Sequence, residues 1–396
     1  MKRFLGLGLV LCLPVLAAPP ADEVRGLWVV RTGLLTPDGI DRIVEQAHRA
    51  GLNALFVQVR GRGDALYRSR LVPRSPLLAD QAADFDPLGR LVRQAHARGL
   101  EVHAWFNLLL SANFGQPLPP GHLVRENPGW LMVPRPLARV ALRSPGPGLI
   151  ETLRRQADRT DVEGLYVSPS APGLAEHLES VVGELLSGYA VDGLHLDFVR
   201  YPNPDYDWSP AALTAFQAGT GDRGDLLAAP GRDPEGWSLH RREALTRLVE
   251  RLSRSARAAR PGLVVTAAVV PEEALAVGQR FQDWPAWAAQ GHLDALCPMT
   301  YTTDQRQFGR QVDQARRRSG AVPIWAGIGA WRLSAAEVVD RIRLARDRGA
   351  AGVVIFSHES LRPVDFDRLR EEAFGAAVAA GPPPPSILGS AASGMR

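Results

Sequence analysis

The segment VDGLHLDFVRYP, residues 191–202, gathers an imidazole, a carboxylate, a guanidinium and a phenol into a short stretch. In a strand alternate side chains share a face, so His195 and Asp197 point one way while Leu194, Leu196 and Phe198 point the other. The apolar set suits a layer of helices, which leaves the two polar groups facing inward. An aspartate at a strand's carboxyl end, in a partly buried pocket with Arg200 and Tyr201 close behind, can stay ionised and either attack or stabilise a developing positive centre. Asp197 is therefore the first catalytic candidate. The competing reading is a buried aspartate paired with Arg200, and spacing alone does not divide the two.

Other segments repeat the pattern of polar groups just after an apolar run. In NALFVQVRGRGDALYRS, Gln58 and Arg60 share a face, and Gly61 and Gly63 permit a tight loop presenting Asp64 and Tyr67. In LEVHAWFN, His103, Trp105 and Asn107 share parity. An aromatic plate flanked by amide, imidazole and guanidinium suits a sugar, which offers hydroxyls to bond and a C–H face to stack. Taken alone, Trp105 reads as core. CPMTYTTD adds Tyr301 and Asp304, and FSHESL adds His358 and Glu359. Recurrence after strand upon strand is the argument, more than any single member.

These groups need a frame to bring them together. Apolar runs and periodicity predict strands at 24–31, 53–60, 100–106, 191–198, 263–270, 294–299, 322–327 and 352–357. Helical patterns fall at 38–50, 87–98, 173–189, 239–259, 284–290, 305–318, 335–348 and 365–374. Thr36 before Pro37, Asp86 before Pro87, and Ser334 three residues ahead of Glu337 are start signals; Gly51, Gly99 and Gly349 are stops. The alternation predicts an α/β fold, a (β/α)8 TIM barrel with long loops after strands 3 and 4. An open doubly wound sheet is the runner-up, but no GxGxxG follows the first strand. The long loops, 107–172 and 201–238, are expected to wall a cleft.

The ends read differently from the body. Residues 1–18 are expected to form a signal peptide, with a basic start, an apolar run from Phe4 to Leu16 and small residues at Ala17 and Ala18. That run is shorter than the roughly 20 residues of a membrane-spanning helix, so no stable span is expected after processing. The expected location is the periplasm or cell envelope. Residues 22–375 would form the single catalytic domain, and 376–396, rich in Pro, Ala, Gly and Ser, a flexible tail. The formal charge of +4 falls to +2 once Lys2 and Arg3 leave, which argues against nucleic acid as partner. Lys2 is the only lysine, which excludes a Walker-type site. Loss of Cys12 leaves Cys297 without an intramolecular disulfide partner, and nothing suggests more than a monomer.

The runs EVRGLWVVR, NALFVQVRGRGDALYRS, EVHAWFN, VDGLHLDFVRYP, CPMTYTTD and VVIFSHESL, in that order, closely resemble the bacterial glycosyl-hydrolase-like family 10, which is distinct from the xylanases of glycoside hydrolase family 10. The resemblance implies a (β/α)8 barrel of the cell envelope that hydrolyses glycosides, with peptidoglycan glycan strands as the substrate class. It carries the acidic fourth-strand role onto Asp197. Many members follow that position with a second Asp where this chain has Phe198, and many have Lys or Asp near His358 or Glu359. Glycoside hydrolysis normally uses two carboxyl groups. The partner to Asp197 is sought in Glu272, Asp304, Glu359 and Asp64, and analogy among barrels favours Glu272. Trp28, Gln58, Arg60, Asp64, His103, Trp105, Asn107, His195, Arg200, Tyr201, Tyr301, Asp304 and His358 form the expected substrate-binding set, with no cofactor and no metal. The alternatives are a non-catalytic glycan-binding barrel and a metal-dependent polysaccharide deacetylase using His195 and Asp197, although no HExxH or HxxxH pair occurs.

Overall fold

A computed structural model describes residues 22–144, 146–156 and 161–375. The expected signal peptide and tail lie outside them. Eight parallel strands are present, β1 Val24–Val29, β2 Ala54–Arg60, β3 Glu101–Asn107, β4 Gly193–Asp197, β5 Val264–Val269, β6 Ala295–Pro298, β7 Trp325–Gly329 and β8 Gly352–Phe356. They form one sheet in the order β6-β5-β4-β3-β2-β1-β8-β7. The two edges meet through parallel bridges from Leu296 to Ile324 and from Met299 to Gly327, so the sheet curls into the barrel that the alternation predicts.

The strands are buried on both faces, as parallel strands between a core and a helix layer must be. Leu27, Leu55, Val57, Val102, Ala104, Leu194 and Leu196 pack outward with the helices in the main apolar cluster, while Trp28, Phe56, Trp105, Cys297, Trp325 and Val354 pack inside the barrel. Large rings fit inside because small residues face them. A Cβ on Gly193 would stand 2.1 Å from His103 Nδ1, and one on Gly26 would stand 2.8 Å from the Phe56 ring.

The helices begin where the capping chemistry places them. The Thr36 hydroxyl accepts from the Gly39 amide at the start of α1 Pro37–Arg49, and the Asp86 carboxylate from the Gly89 amide at the start of α2 Pro87–His96. The helix after β3 is α3 Leu174–Gly188, and the one after β4 is α4 Pro234–Ala259, which starts five residues ahead of the sequence expectation. Its true cap is Asp233, whose carboxylate accepts from Gly236, with Pro234 at the first helical position. A capping box of Ser334 and Glu337 opens the helix Ala335–Asp347, as expected.

The long loops are not irregular throughout. Two short antiparallel strands, Leu110–Ala112 and Leu165–Tyr166, stiffen the first, and a helix, Pro210–Thr220, lies in the second. The loops also pack on each other. Ala138 joins Trp208, Leu213, Phe216 and Trp237 in a separate apolar cluster, and the Trp208 amide donates to the Val133 carbonyl at 2.7 Å.

Candidate active site

A cavity of about 320 Å³ opens at the carboxyl ends of the strands and is lined by Trp28, Val30, Arg31, Thr32, Gln58, Arg62, Trp105, Asp197, Phe198, Arg200, Ala268, Met299, Tyr301 and Phe356. This is the end of a (β/α)8 barrel where strand-terminal side chains converge and loops are free to vary. Asp197 is the carboxylate among these residues. The backbone N–H of Phe198 donates to its Oδ1 at 2.6 Å. Burial raises the Asp197 carboxyl above the ordinary carboxylate range, against the opposing pull of that amide, Arg200, the Trp105 indole and Arg62.

Phe198 follows with φ +47, in the left-handed region that a bulky side chain seldom occupies. The turn swings its ring into the cleft wall instead of the helix layer that strand parity predicts. There the ring stands between two cations, with the Arg200 guanidinium 5.1 Å and that of Arg62 6.0 Å from its centroid. Arg200 also pairs with Glu163 at 2.6 Å, and the Tyr166 hydroxyl donates to the same carboxylate at 2.7 Å. Arg200 thus has a partner other than the Asp197 that the competing sequence reading gave it.

The floor is aromatic. Trp28 lies edge-on to Phe356 and to Tyr301, with ring centroids 5.9 Å and 6.4 Å apart. Burial, with the Asp197 charge second, keeps the Tyr301 phenol protonated well past its ordinary range. Trp331, which is 50% exposed, projects beside this floor at 4.9 Å from Tyr301 and 5.4 Å from Phe356. An open tryptophan next to a polar cleft offers a face for a sugar ring.

Of the residues singled out in the sequence, Trp28, Gln58, Trp105, Asp197, Arg200 and Tyr301 are brought together here. Others serve from the layer behind. His195 is fully buried beneath the floor, where its Nε2 accepts from Trp28 Nε1 at 3.1 Å and its Nδ1 meets Thr266 Oγ1 at 2.8 Å. Both ring nitrogens are engaged, and burial depresses its pKa to about 3, so it is a neutral prop for Trp28. That arrangement leaves no imidazole lone pair aimed at the cleft for a zinc ion. Among the described residues no group of three or more His, Cys, Asp or Glu is placed to hold a metal. Asn107 accepts from Trp105 Nε1 at 2.9 Å and from Gln58 at 3.3 Å, and so orients two lining residues without lining the cleft itself. His103 lies deeper still, stacked on Phe56 at 4.5 Å.

Several expected positions need correction. Arg60 does not share the Gln58 face, because the β2–β3 register slips between them: Gln58 pairs with Trp105, but Arg60 pairs with Phe106. Its guanidinium turns outward over the Phe106 ring at 4.6 Å and donates to the Asn107 carbonyl at 2.6 Å. Asp64 is buried beside the cleft, accepting from Ser75 at 2.5 Å and from the Arg62 amide at 2.9 Å. The Tyr201 hydroxyl donates to the Arg241 carbonyl at 3.2 Å, away from the cavity. Asp304 caps a helix by accepting from the Arg306 and Gln307 amides. Glu272 is held by Gln311 at 2.5 Å outside the lining. His358 faces the helix layer, 2.8 Å from Gln46 Oε1, and burial lowers its pKa to about 4. Glu359 does not line the cavity, but it sits next to the mouth. Desolvation raises its carboxyl, against the opposing pull of its own backbone, Ser357 and the main chain of the lining residue Val30.

The long loops also act differently from expectation. Instead of lining the cavity they support its wall from behind. The Leu108 and Leu109 amides donate to the carbonyls of Asp197 and Phe198, at 2.7 Å and 3.3 Å, and Asn113 accepts from Arg62. Arg31, Thr32, Arg62, Phe356 and Trp331 escaped the sequence reading. Their signal was position, since most immediately follow a strand's carboxyl end.

Comparison with known proteins agrees with this fold. Residues 23–330 match the sequence model of the family described as glycosyl hydrolase-like 10. Glycosyl hydrolase DigH of Escherichia coli (strain K12) is 25% identical over 339 residues, which span 75% of this chain and 71% of DigH. Glycosyl hydrolase YngK of Bacillus subtilis (strain 168) is 24% identical over 212 residues, 49% of this chain and 36% of YngK. Among solved structures, the PgaB (BpsB) glycoside hydrolase domain from Bordetella bronchiseptica superposes with a TM-score of 0.68 at 18% identity, over 89% of this chain and 100% of that one. The catalytic domain of beta-amylase from Paenibacillus polymyxa gives 0.58 at 11% identity, over 87% and 94%. These structural likenesses concern the fold.

Proposed function

The chain belongs to the glycosyl hydrolase-like 10 family, and from that premise we propose that it is an exported glycoside hydrolase cutting glycosidic bonds in bacterial cell-wall polysaccharide, with peptidoglycan glycan strands as its substrate. The observation that carries the reading is Asp197, a carboxyl at the end of β4 that faces an aromatic-floored cleft. A carboxyl raised by burial keeps its proton further up the pH scale, which suits delivery of that proton to the leaving glycosidic oxygen. The Phe198 amide fixes its orientation, and Tyr301 stands in the same lining to bond a sugar hydroxyl. For the second carboxyl, Glu359 beside the mouth replaces the earlier preference for Glu272, whose side chain is committed to Gln311. The envelope location rests on the signal peptide read from residues 1–18.

One observation favours a second reading. The cleft is lined by a single carboxylate, and Phe198 occupies the position where the sequence resemblance implies a second acid. A glycan-binding barrel without turnover would look the same. The two are separated by incubating the mature protein with purified peptidoglycan, with and without stem peptides, and weighing the soluble products beside an Asp197→Asn control. Products released by the wild type alone support the hydrolase. Binding by both proteins with no release would establish the binding barrel in its place.

A further inference from the structure

Charge in the cleft is lopsided. Arg31, Arg62 and Arg200 face one carboxylate, and Glu163 neutralises only Arg200. Arg62 is fixed by two bonds, from Nε to Asn113 and from Nη1 to the Gly61 carbonyl at 2.8 Å, which leaves its Nη2 without an acceptor among the described residues. The Arg31 guanidinium lies along the Gly61 backbone, where a Cβ would come within 2.7 Å of its Nη1, and it makes no side-chain hydrogen bond or ion pair among the described residues. The two cations are close enough to repel. Burial first, and then Arg31, lowers the Arg62 pKa to about 10. Asp64 is the nearby counter-charge, but its two oxygens are already bonded to Ser75 and the Arg62 amide, behind the wall.

Holding two partly buried, mutually repelling guanidiniums with open donors costs folding energy unless a ligand compensates it. We propose that Arg31 and Arg62 form a subsite for a carboxylate carried by a sugar bound in the cleft. A planar carboxylate matches the fork of N–H donors that a guanidinium presents, and a lysine at either position would not reproduce that geometry. The subsite rests on the reading of the cleft as a glycan site and narrows it to chains whose sugars bear free carboxylates. Fixing such a group beside Asp197 would also set which bond is presented to the acid.

The test reads binding, with cleavage scored separately. Three soluble oligosaccharides serve as probes: a neutral N-acetylhexosamine oligomer, a chain of the same length whose alternate sugars carry free carboxylates, and that chain with its carboxylates converted to methylamides. Affinities are measured by calorimetry with the Asp197→Asn protein as background in every arm. The carboxylate chain is expected to bind at least about tenfold tighter than the other two, roughly the discrimination of one charge-assisted contact. Arg31→Gln and Arg62→Gln should each shrink that ratio toward one without lowering the melting temperature. Equal affinity for the three probes, or a preference that survives both substitutions together, would overturn the subsite. A protein that keeps the preference while its wild type releases no product would instead overturn the hydrolase and leave the subsite standing.

Discussion

At the scale of the residue, burying Asp197 has a consequence for folding as well as for the proposed catalysis. Its folded-state pKa lies above the unfolded value, with desolvation the largest cause. The native state therefore favours the protonated form. Its contribution to stability is fully present below the ordinary carboxylate pKa and is lost as pH rises through the raised value. Asp197→Asn removes that loss, so the variant should melt higher than wild type at neutral pH, and the gap should close as the pH falls below the carboxylate range. Calorimetric melts at several pH values check this, and a gap that widens toward acid would contradict it. The same substitution should lower turnover by about 10²- to 10⁴-fold, the usual weight of a general acid. Trp331→Ala should weaken glycan binding several-fold, on the order of 0.5–1.5 kcal/mol, without lowering the melting temperature, because half the ring is already in solvent. Asp197, Gln58 and Trp105 are legible as cleft residues because the parity of a strand fixes which way a side chain points, and Arg200 and Tyr301 because they closely follow a strand's carboxyl end. Arg60 and Phe198 were not, since a register slip in β2 and a left-handed backbone after β4 each redirect one side chain, and neither leaves a mark in residue type.

Elements depend on each other's volume inside the barrel. His103 fills the space left by the missing side chain of Gly193 and is clamped between Phe56 and Trp325, with centroids at 4.5 Å and 5.9 Å. Gly193→Ala puts a methyl group into that ring and should destabilise the fold by about 1–3 kcal/mol, as overpacking of a tight core does. Denaturant melts read this directly, and an unchanged midpoint would mean that the ring has room to move. The strands themselves were legible because eight apolar runs were separated by recognisable caps and stops, and helix starts at Thr36, Asp86 and Ser334 fell where their side chains accept backbone bonds. The start of α4 lies five residues ahead of its apolar periodicity because Asp233 and Pro234 supply the cap and first turn. The support that the long loops give the wall was not legible either. It depends on pairing between segments far apart in sequence, such as Leu108 with Asp197.

For the whole molecule, the barrel core carries a built-in reporter. Cys297 on β6 is fully buried, and burial raises its thiol pKa, so it is shielded from alkylation in the native state. Its labelling should occur only through global unfolding and should accelerate with denaturant in step with loss of tertiary structure. Rapid labelling under native conditions would show that the barrel opens locally at β6. The family and the cleft support the proposed glycoside hydrolysis, whose bond-breaking step is open to a direct test. Wild-type protein would be incubated with purified glycan strands in ¹⁸O-labelled water, with Asp197→Asn alongside, and the reducing ends of the products weighed. Hydrolysis predicts one heavy oxygen at each new reducing end in the wild-type reaction and at most about a hundredth as much of that product from the variant. Products without the label, or labelled products formed equally by Asp197→Asn, would contradict the account.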